Sequence, residues 1–322
     1  MPVKTLPYVM TDVDPSDRES WLKARRAGVG GSDVASIIGM SPWKSEYALW
    51  AEKVGLIEPE DISGRDEVMW GTLLEPVVRD HFVEMHPNMS VVKPDVMYRS
   101  VKRPWAQATL DGKVFSSDGE GILEIKTTDA RNWKQWDDRV PDHYVAQVMH
   151  YMSVTGYRYA YVAVLIGGND YREYRIDWND EDIALVEEAV DTFWKHVVNR
   201  KPPVSLDGST STHRALFFEH REPSGGIEDV GETPTDAIRY MSARENEKAY
   251  REEASLMAAR LKSRIGDAKG LETPDLRVTW VRTKVDRFDT KRLKEERPDI
   301  YAEYCEKVDR DMGLRIKRLK EE

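Results

Sequence analysis

The stretch Gly121-Ile122-Leu123-Glu124-Ile125-Lys126-Thr127-Thr128 constrains this chain most, because it sets two opposite charges inside an apolar run. It reads as a short strand. Strand side chains alternate between faces, so Glu124 and Lys126 project from one side and Leu123 and Ile125 from the other. Trp105 to Leu110 reads as a second strand-like run, ended by Asp111 in Ala108-Thr109-Leu110-Asp111-Gly112. Gly and Ser-Asp-Gly signals between the runs allow a hairpin-like return that brings Asp111 beside Glu124.

Two carboxylates and a lysine on one surface suit phosphodiester hydrolysis. A hard cation such as Mg²⁺ prefers oxygen ligands and binds through one or two carboxylates plus substrate phosphate oxygens. Lys126 could orient or deprotonate the attacking water, or stabilise charge in the transition state. An exposed cross-strand ion pair accounts for the same residues, so the motif alone leaves both readings open.

Composition limits the alternatives. A chain of 322 residues, 40% hydrophobic and 33% charged, can bury a sizeable core and is not of disordered composition. Its longest apolar run, Tyr159 to Ile166, is too short to span a bilayer. The N-terminal residues lack the apolar core of a signal peptide, and the expected setting is a reducing cytoplasm. Cys305 is the single cysteine, which excludes an internal disulfide, a zinc cluster and a cysteine-held iron–sulfur centre. The net charge of −10 argues against non-specific coating of nucleic acid. Residues 231–322 carry 22 Lys and Arg against 20 Asp and Glu, leaving 26 against 38 in residues 1–230. The acidity therefore lies in the part that holds the carboxylates.

Along the chain, residues 1–17 read as an irregular leader and Asp17 to Ala27 as the first helix. Gly28-Val29-Gly30-Gly31 turns into a short helix with Ser32 as the expected N-cap. Free amides there, with Arg25 nearby, could receive an anion; on spacing alone a plain capped helix after a tight turn is the better explanation. Ser41-Pro42-Trp43 is expected to start a helix that ends at Gly55, with Tyr47, Trp50 and Val54 in the core. Trp70 to Met85 is helical, with Leu74, Val77, Val78, Phe82 and Met85 on one stripe. Glu75 borders that stripe beside Pro76, a residue tolerated in a first turn or at a kink. It is either a first-turn dipole partner or a third carboxylate aimed at the cation.

A strand is expected over 96–100, a mixed basic and aromatic segment over 129–136, and a helix from Pro141 to Ser153 presenting Tyr144, Gln147, His150 and Tyr151. A hairpin over 157–178 and a helix over 180–199 follow. The order implies an α/β domain over residues 1–202, its mixed sheet flanked by helices. Residues 203–234 read as a linker or surface excursion. Residues 235–322 read as a helical C-terminal extension, with helices over 237–265 and 290–306, a strand near 278–281 and a basic tail at 315–320.

Taken jointly, Arg25, Gly30-Gly31-Ser32-Asp33, Ser41-Pro42-Trp43, Gly71 followed by Glu75-Pro76, Leu110-Asp111-Gly112, Glu124-Ile125-Lys126 and Gln147 closely resemble the YqaJ-type viral recombinases. These are phage relatives of lambda exonuclease in the PD-(D/E)xK nuclease superfamily. The resemblance spans residues 18–178, and the region around Arg287 to Tyr304 also looks like the C-terminal part of some phage members.

That resemblance implies a restriction-endonuclease-like core. It implies a Mg²⁺-dependent exonuclease, with Mn²⁺ as a substitute, that degrades one strand of linear duplex DNA 5′ to 3′ and leaves a 3′ overhang. Carried over by position, Asp111 and Glu124 with the Ile125 carbonyl resemble the metal ligands, completed by Glu75. Lys126 resembles the water-activating lysine and Gln147 the helix glutamine beside it, with Tyr144 a weaker match. Arg25 and Ser32 resemble a 5′-phosphate pocket, and Thr109 stands where some relatives have serine. Leu110 replaces the proline of the superfamily's name, which carries no ligand atom. Further implications are a single-strand annealing partner, a ring-shaped homo-oligomer and a phage or prophage protein in a bacterial cytoplasm. Two alternatives remain: an endonuclease of the same superfamily, and a non-catalytic DNA-end-binding module.

Overall fold

A computed structural model describes residues 6–11, 13, 17–204, 206–220 and 225–316, with only the backbone at Arg18. The chain divides into two units, Met1–Pro223 and Ser224–Glu322.

The first unit opens with strand β1 (Tyr8–Thr11), which pairs antiparallel with a strand some ninety residues later, so this part of the leader is not irregular as expected; residues 1–5, 12 and 14–16 of it lie outside the described residues. Helix α1 (Arg18–Arg26) starts at Asp17, whose carboxylate caps the Ser20 amide, and ends in Lys23, Arg25 and Arg26, which complement the helix dipole. Helix α2 (Gly31–Ile37) is capped at Gly30, not at Ser32, because the Asp33 carboxylate reaches back 3.0 Å to the Gly30 amide. Helix α3 (Glu46–Lys53) begins after Ser45, whose hydroxyl accepts from the Ala48 amide. Ser41-Pro42-Trp43 is thus a turn and not a helix start: the Ser41 hydroxyl takes the amides of Trp43 and Lys44 at 3.2 and 3.1 Å. Helix α4 (Asp66–Met85) starts a turn earlier than expected, so Pro76 lies in its interior. Of the expected stripe only Val78 and Phe82 are buried; Val77 and Met85 are exposed.

Strands β2 (Ser90–Val92), β3 (Met97–Ser100), β4 (Gln107–Ala108), β5 (Gly112–Ser116) and β6 (Gly119–Thr128) follow. A 3-10 helix (Ala130–Trp136) and helix α5 (Asp142–Thr155) then cross to β7 (Tyr159–Ile166), which runs parallel to β6. Gly156 ends α5 in the left-handed region, at φ 73°. Strand β8 (Asp170–Asp177) returns antiparallel to β7, and helix α6 (Asp180–Val198) closes over the sheet. The main sheet has the order β2-β5-β6-β7-β8; β1-β3-β4 form a second, smaller sheet.

The main sheet is covered on both faces, as the continuous apolar sequence of β7 requires. Leu123 and Ile125 face α4, packing with Val78, Phe82 and Tyr161. Ile122, Ala160, Val162 and Val164 face the other way, against Val148 and Met152 of α5 and Val190 and Phe193 of α6. Phe82 is fully buried, a burial worth about 1.5–3 kcal/mol. This mixed sheet between helical layers is the α/β arrangement expected from the order of elements. Within the stretch expected as linker or excursion, helix α7 (Thr210–Glu219) packs on α3, burying Thr212 and Ala215.

The second unit holds helix α8 (Thr235–Ile265), a hairpin of β9 (Gly270–Glu272) and β10 (Arg277–Thr279), then helices α9 (Thr290–Glu296) and α10 (Pro298–Glu303). The single helix expected over 290–306 is broken because Pro298 offers no amide and disfavours helical geometry in the residue before it. On the α8 stripe Tyr250, Ala254, Met257, Leu261 and Ile265, only Ile265 is buried. Residues 317–320 of the expected basic tail lie outside the described residues.

Candidate active site

The strand that brings Asp111 to Glu124 is β5, not the Trp105 to Leu110 run, which yields only the short β4 and pairs with β3. Asp111 therefore precedes a strand instead of ending one. Gly112 pairs with Leu123, and a side chain at Gly112 would come within 2.7 Å of Val91 and 3.1 Å of Leu123 Cβ. The glycine permits the close approach that seats Asp111 beside the next strand. Its carboxylate accepts from the Ile125 amide at 2.9 Å.

Alternation on β6 puts Glu124 and Lys126 on the face covered by α5, as expected. Glu124 is 2% exposed. Its Oε1 accepts from Lys126 Nζ at 2.5 Å and from Gln147 Nε2 at 2.6 Å. Its Oε2 is buried without any hydrogen-bond partner. Gln147 also donates to the Tyr151 hydroxyl at 3.1 Å and accepts from Lys126 at 3.3 Å, so one amide holds both charged groups. Helix α5 lies close to α2 here: a side chain at Gly31 would meet the Tyr151 ring at 2.4 Å and Gln147 Cγ at 2.9 Å. Lys126 Nζ sits 4.7 Å from the centre of the Tyr144 ring.

Burial opposes the charged form of Lys126, but the Glu124 and Asp111 carboxylates outweigh it and hold the ammonium pKa above the ordinary lysine value. Burial and the neighbouring Glu124 carboxylate push Asp111 up to about 8, against the opposing pull of Lys126 and the Ile125 amide.

Glu75 lies on α4 and lines the same cleft, of about 660 Å³. Its Oε1 accepts from Arg79 and, at 2.7 Å, from Lys93 Nζ. Arg25, Ser32 and Thr109 line this cleft too. Arg25 Nη2 donates to the Ser32 hydroxyl at 2.6 Å and to Asp33 at 3.4 Å, while its guanidinium lies 4.8 Å from the Trp21 ring centre. Buried Asp33 is held chiefly by Lys53, 2.7 Å away. All nine residues singled out from the sequence thus border one cavity. His150 does not: its Nε2 sits 3.1 Å from the carbonyls of Val29 and Gln107.

Among the described residues no group of three or more His, Cys, Asp or Glu is gathered as a metal-holding cluster. Ammonium and guanidinium groups instead occupy one oxygen each of Glu124 and Glu75. The donor set nonetheless fits a hard divalent cation. Glu124 Oε2 is a buried carboxylate oxygen without a partner, and Asp111, raised first by burial and then by Glu124, lines the same cleft. Asp111, Glu124, the Ile125 carbonyl and Glu75 are the groups that could hold it.

Sequence reasoning missed Arg79 and Lys93. Arg79 had a local signal, since it stands four residues after Glu75 on one helix face. Lys93 had none: its meeting with Glu75 depends on how the β2 region returns past α4.

The family model described as a YqaJ-like viral recombinase domain matches residues 20–158. The protein YqaJ of Bacillus subtilis is 32% identical over 309 residues, covering 94% of each chain. A protein of African swine fever virus is 37% identical over 94 residues, 29% of this chain and 26% of the viral one. Among solved structures, an alkaline exonuclease from Laribacter hongkongensis superposes with a TM-score of 0.48 at 23% identity, covering 57% of this chain and 94% of its own. A phage related exonuclease from Haemophilus somnus gives 0.41 at 14% identity, covering 54% and 96%.

Proposed function

The chain belongs to the YqaJ-like viral recombinase family, and we propose that it is a Mg²⁺-dependent exonuclease acting on one strand of linear duplex DNA from its 5′ end. The observation that carries this reading is the buried Glu124 carboxylate, gripped on one oxygen by Lys126 and Gln147 and unpartnered on the other, in the cleft that Asp111 lines. Asp111 and Glu124, with the Ile125 carbonyl and Glu75, would hold the cation. Bound there, Mg²⁺ supplies Lewis-acid polarisation of the phosphate and stabilisation of the leaving oxygen.

The chain's own residues supply the rest. In the metal-free cleft burial opposes the charge on Lys126, and the neighbouring acidic groups, Glu124 foremost, more than offset it. Paired with Glu124, Lys126 is placed to orient or deprotonate the attacking water, or to stabilise transition-state charge. Gln147 locks Glu124 and Lys126 in one arrangement, so little reorganisation is needed as charge develops. Arg25 commits only Nη2 to Ser32 and Asp33, leaving guanidinium donors for a terminal 5′ phosphate, with Ser32 and Thr109 beside it. Capture of that phosphate sets the polarity of digestion. Arg25, Lys93 and Lys126 provide local positive charge in an acidic chain.

The product, a 3′ single-stranded tail, is the natural substrate of a single-strand annealing protein. A ring-shaped homo-oligomer would keep the enzyme on its track, and the bacterial cytoplasm is its setting. No helix among the described residues is long and apolar enough to cross a membrane.

End-labelled linear duplex and covalently closed circular DNA, each with and without Mg²⁺, test the reading. Nucleotides released from the 5′ ends of linear DNA with Mg²⁺, and an intact circle, are expected. Nicking of the circle would favour the endonuclease alternative. Binding of ends without release would favour a non-catalytic module.

A further inference from the structure

Arg79 takes no part in the chemistry above, yet it touches two parts of the site at once. Its side chain, only 13% exposed, runs from the middle of α4. One arm of the guanidinium donates to Glu75 Oε1, and Nε donates to the Asp111 backbone carbonyl at 3.1 Å. One planar fork therefore ties the helix carboxylate to the residue that precedes β5. Arg79 and Asp111 are otherwise 32 residues apart along the chain.

We propose that Arg79 is a positioning residue that fixes the separation between Glu75 and Asp111 and so sets the affinity of the cleft for a divalent cation. The inference rests on the reading of this cleft as a cation site. Charge alone would predict the opposite effect, since removing a positive group beside carboxylates favours cation binding. Geometry decides the sign only if charge is held constant, and lysine does that. A lysine ammonium can pair with Glu75 but has no second, rigidly placed donor for the Asp111 carbonyl.

The test is Mn²⁺ binding to the full chain, measured by electron paramagnetic resonance and calorimetry without DNA, for wild type, Arg79→Lys and Arg79→Gln. Arg79→Lys should bind Mn²⁺ about tenfold or more weakly than wild type, the range seen when groups that orient metal ligands are lost. In digestion assays the concentration of Mn²⁺ for half-maximal rate should rise by the same factor, with the maximal rate recovered at saturating Mn²⁺. A merely structural role would instead lower the melting temperature and the maximal rate while leaving Mn²⁺ affinity unchanged, and that result overturns the proposal. Arg79→Gln also removes the charge, so weaker Mn²⁺ binding in that variant, against the electrostatic expectation, supports the geometric role if the lysine variant folds poorly, and tighter binding overturns it. Wild type that binds no Mn²⁺ would overturn the cation reading itself; wild type that binds, with unchanged affinity in both variants, overturns the role of Arg79 alone.

Discussion

The Asp111 carboxylate accepts a 2.9 Å hydrogen bond from the backbone amide of Ile125, which couples the start of β5 to the strand that carries Glu124 and Lys126. The bond has a geometric use and an electrostatic cost, because it fixes a carboxylate beside two others.

Asp111→Asn separates the two. An asparagine amide oxygen accepts from Ile125 as the carboxylate does, so the fold is expected to survive with an unchanged or higher melting temperature. Digestion of linear duplex should fall on the order of 100-fold or more, because the charge that would hold the cation is gone. Calorimetry and a rate assay on the same preparation check both halves.

Cation affinity should rise with pH. Asp111, pushed up to about 8 in the metal-free cleft, must lose its proton before it can act as a ligand, so binding below that pH releases a proton. Between pH 6 and 8 the affinity should climb by roughly tenfold per pH unit if one proton is released. The same raised pKa makes the metal-free chain bind more protons folded than unfolded between the ordinary 3.8 and about 8. Its contribution to stability is therefore present at low pH and lost as pH rises through about 8. Mn²⁺ titrations at three pH values, with Asp111→Asn as the flat control, measure the slope.

His150 works in the other direction. Burial holds its imidazole down at about 4, and Nε2 donates to two carbonyls, so it is folded in the neutral form. As pH falls below the ordinary 6.5, the unfolded chain takes up a proton that the folded chain refuses. The stabilisation is complete above 6.5 and is lost progressively down to about 4. The difference in unfolding free energy between wild type and His150→Gln should shrink by up to about 3 kcal/mol between pH 7 and pH 4. Denaturant titrations at both pH values show it, and a pH-independent difference would contradict it.

The parts of the site legible in the sequence were those set by local periodicity. Alternation along β6 was enough to put Glu124 and Lys126 on one face, and helix α5 delivered Gln147 toward them. Long-range pairing was not legible. Tyr8–Thr11 reads as irregular because its partner Met97–Ser100 is remote, and Gly112–Ser116 hides as a strand because it opens on glycine and lysine. The α4 stripe overcounted the core, since helical spacing marks which residues share a face and not how far the neighbouring layer extends. Ser32 looked like the cap because hydroxyls usually are; Asp33, stabilised by buried Lys53, takes that role from the third position. The Arg79 and Lys93 clamps on Glu75 depend on tertiary approach, for which one sequence offers little signal.

Arg25 offers a check on polarity. Arg25→Gln should leave Mg²⁺ dependence unchanged while reducing the preference for 5′-phosphorylated over 5′-hydroxyl ends by about tenfold or more, since a charge-assisted pair is lost. Rates on the two end-labelled duplexes give the ratio directly; an unaltered ratio would remove Arg25 from phosphate capture.

The central claim is that Glu124 and Lys126 perform phosphodiester hydrolysis as one hydrogen-bonded pair. Digestion of a 5′-phosphorylated linear duplex in Mg²⁺ by wild type, Glu124→Gln and Lys126→Met, each confirmed folded by circular dichroism, tests it most directly. Wild-type digestion with loss of activity in both variants is the expected result. Near wild-type rates in either folded variant would contradict the account.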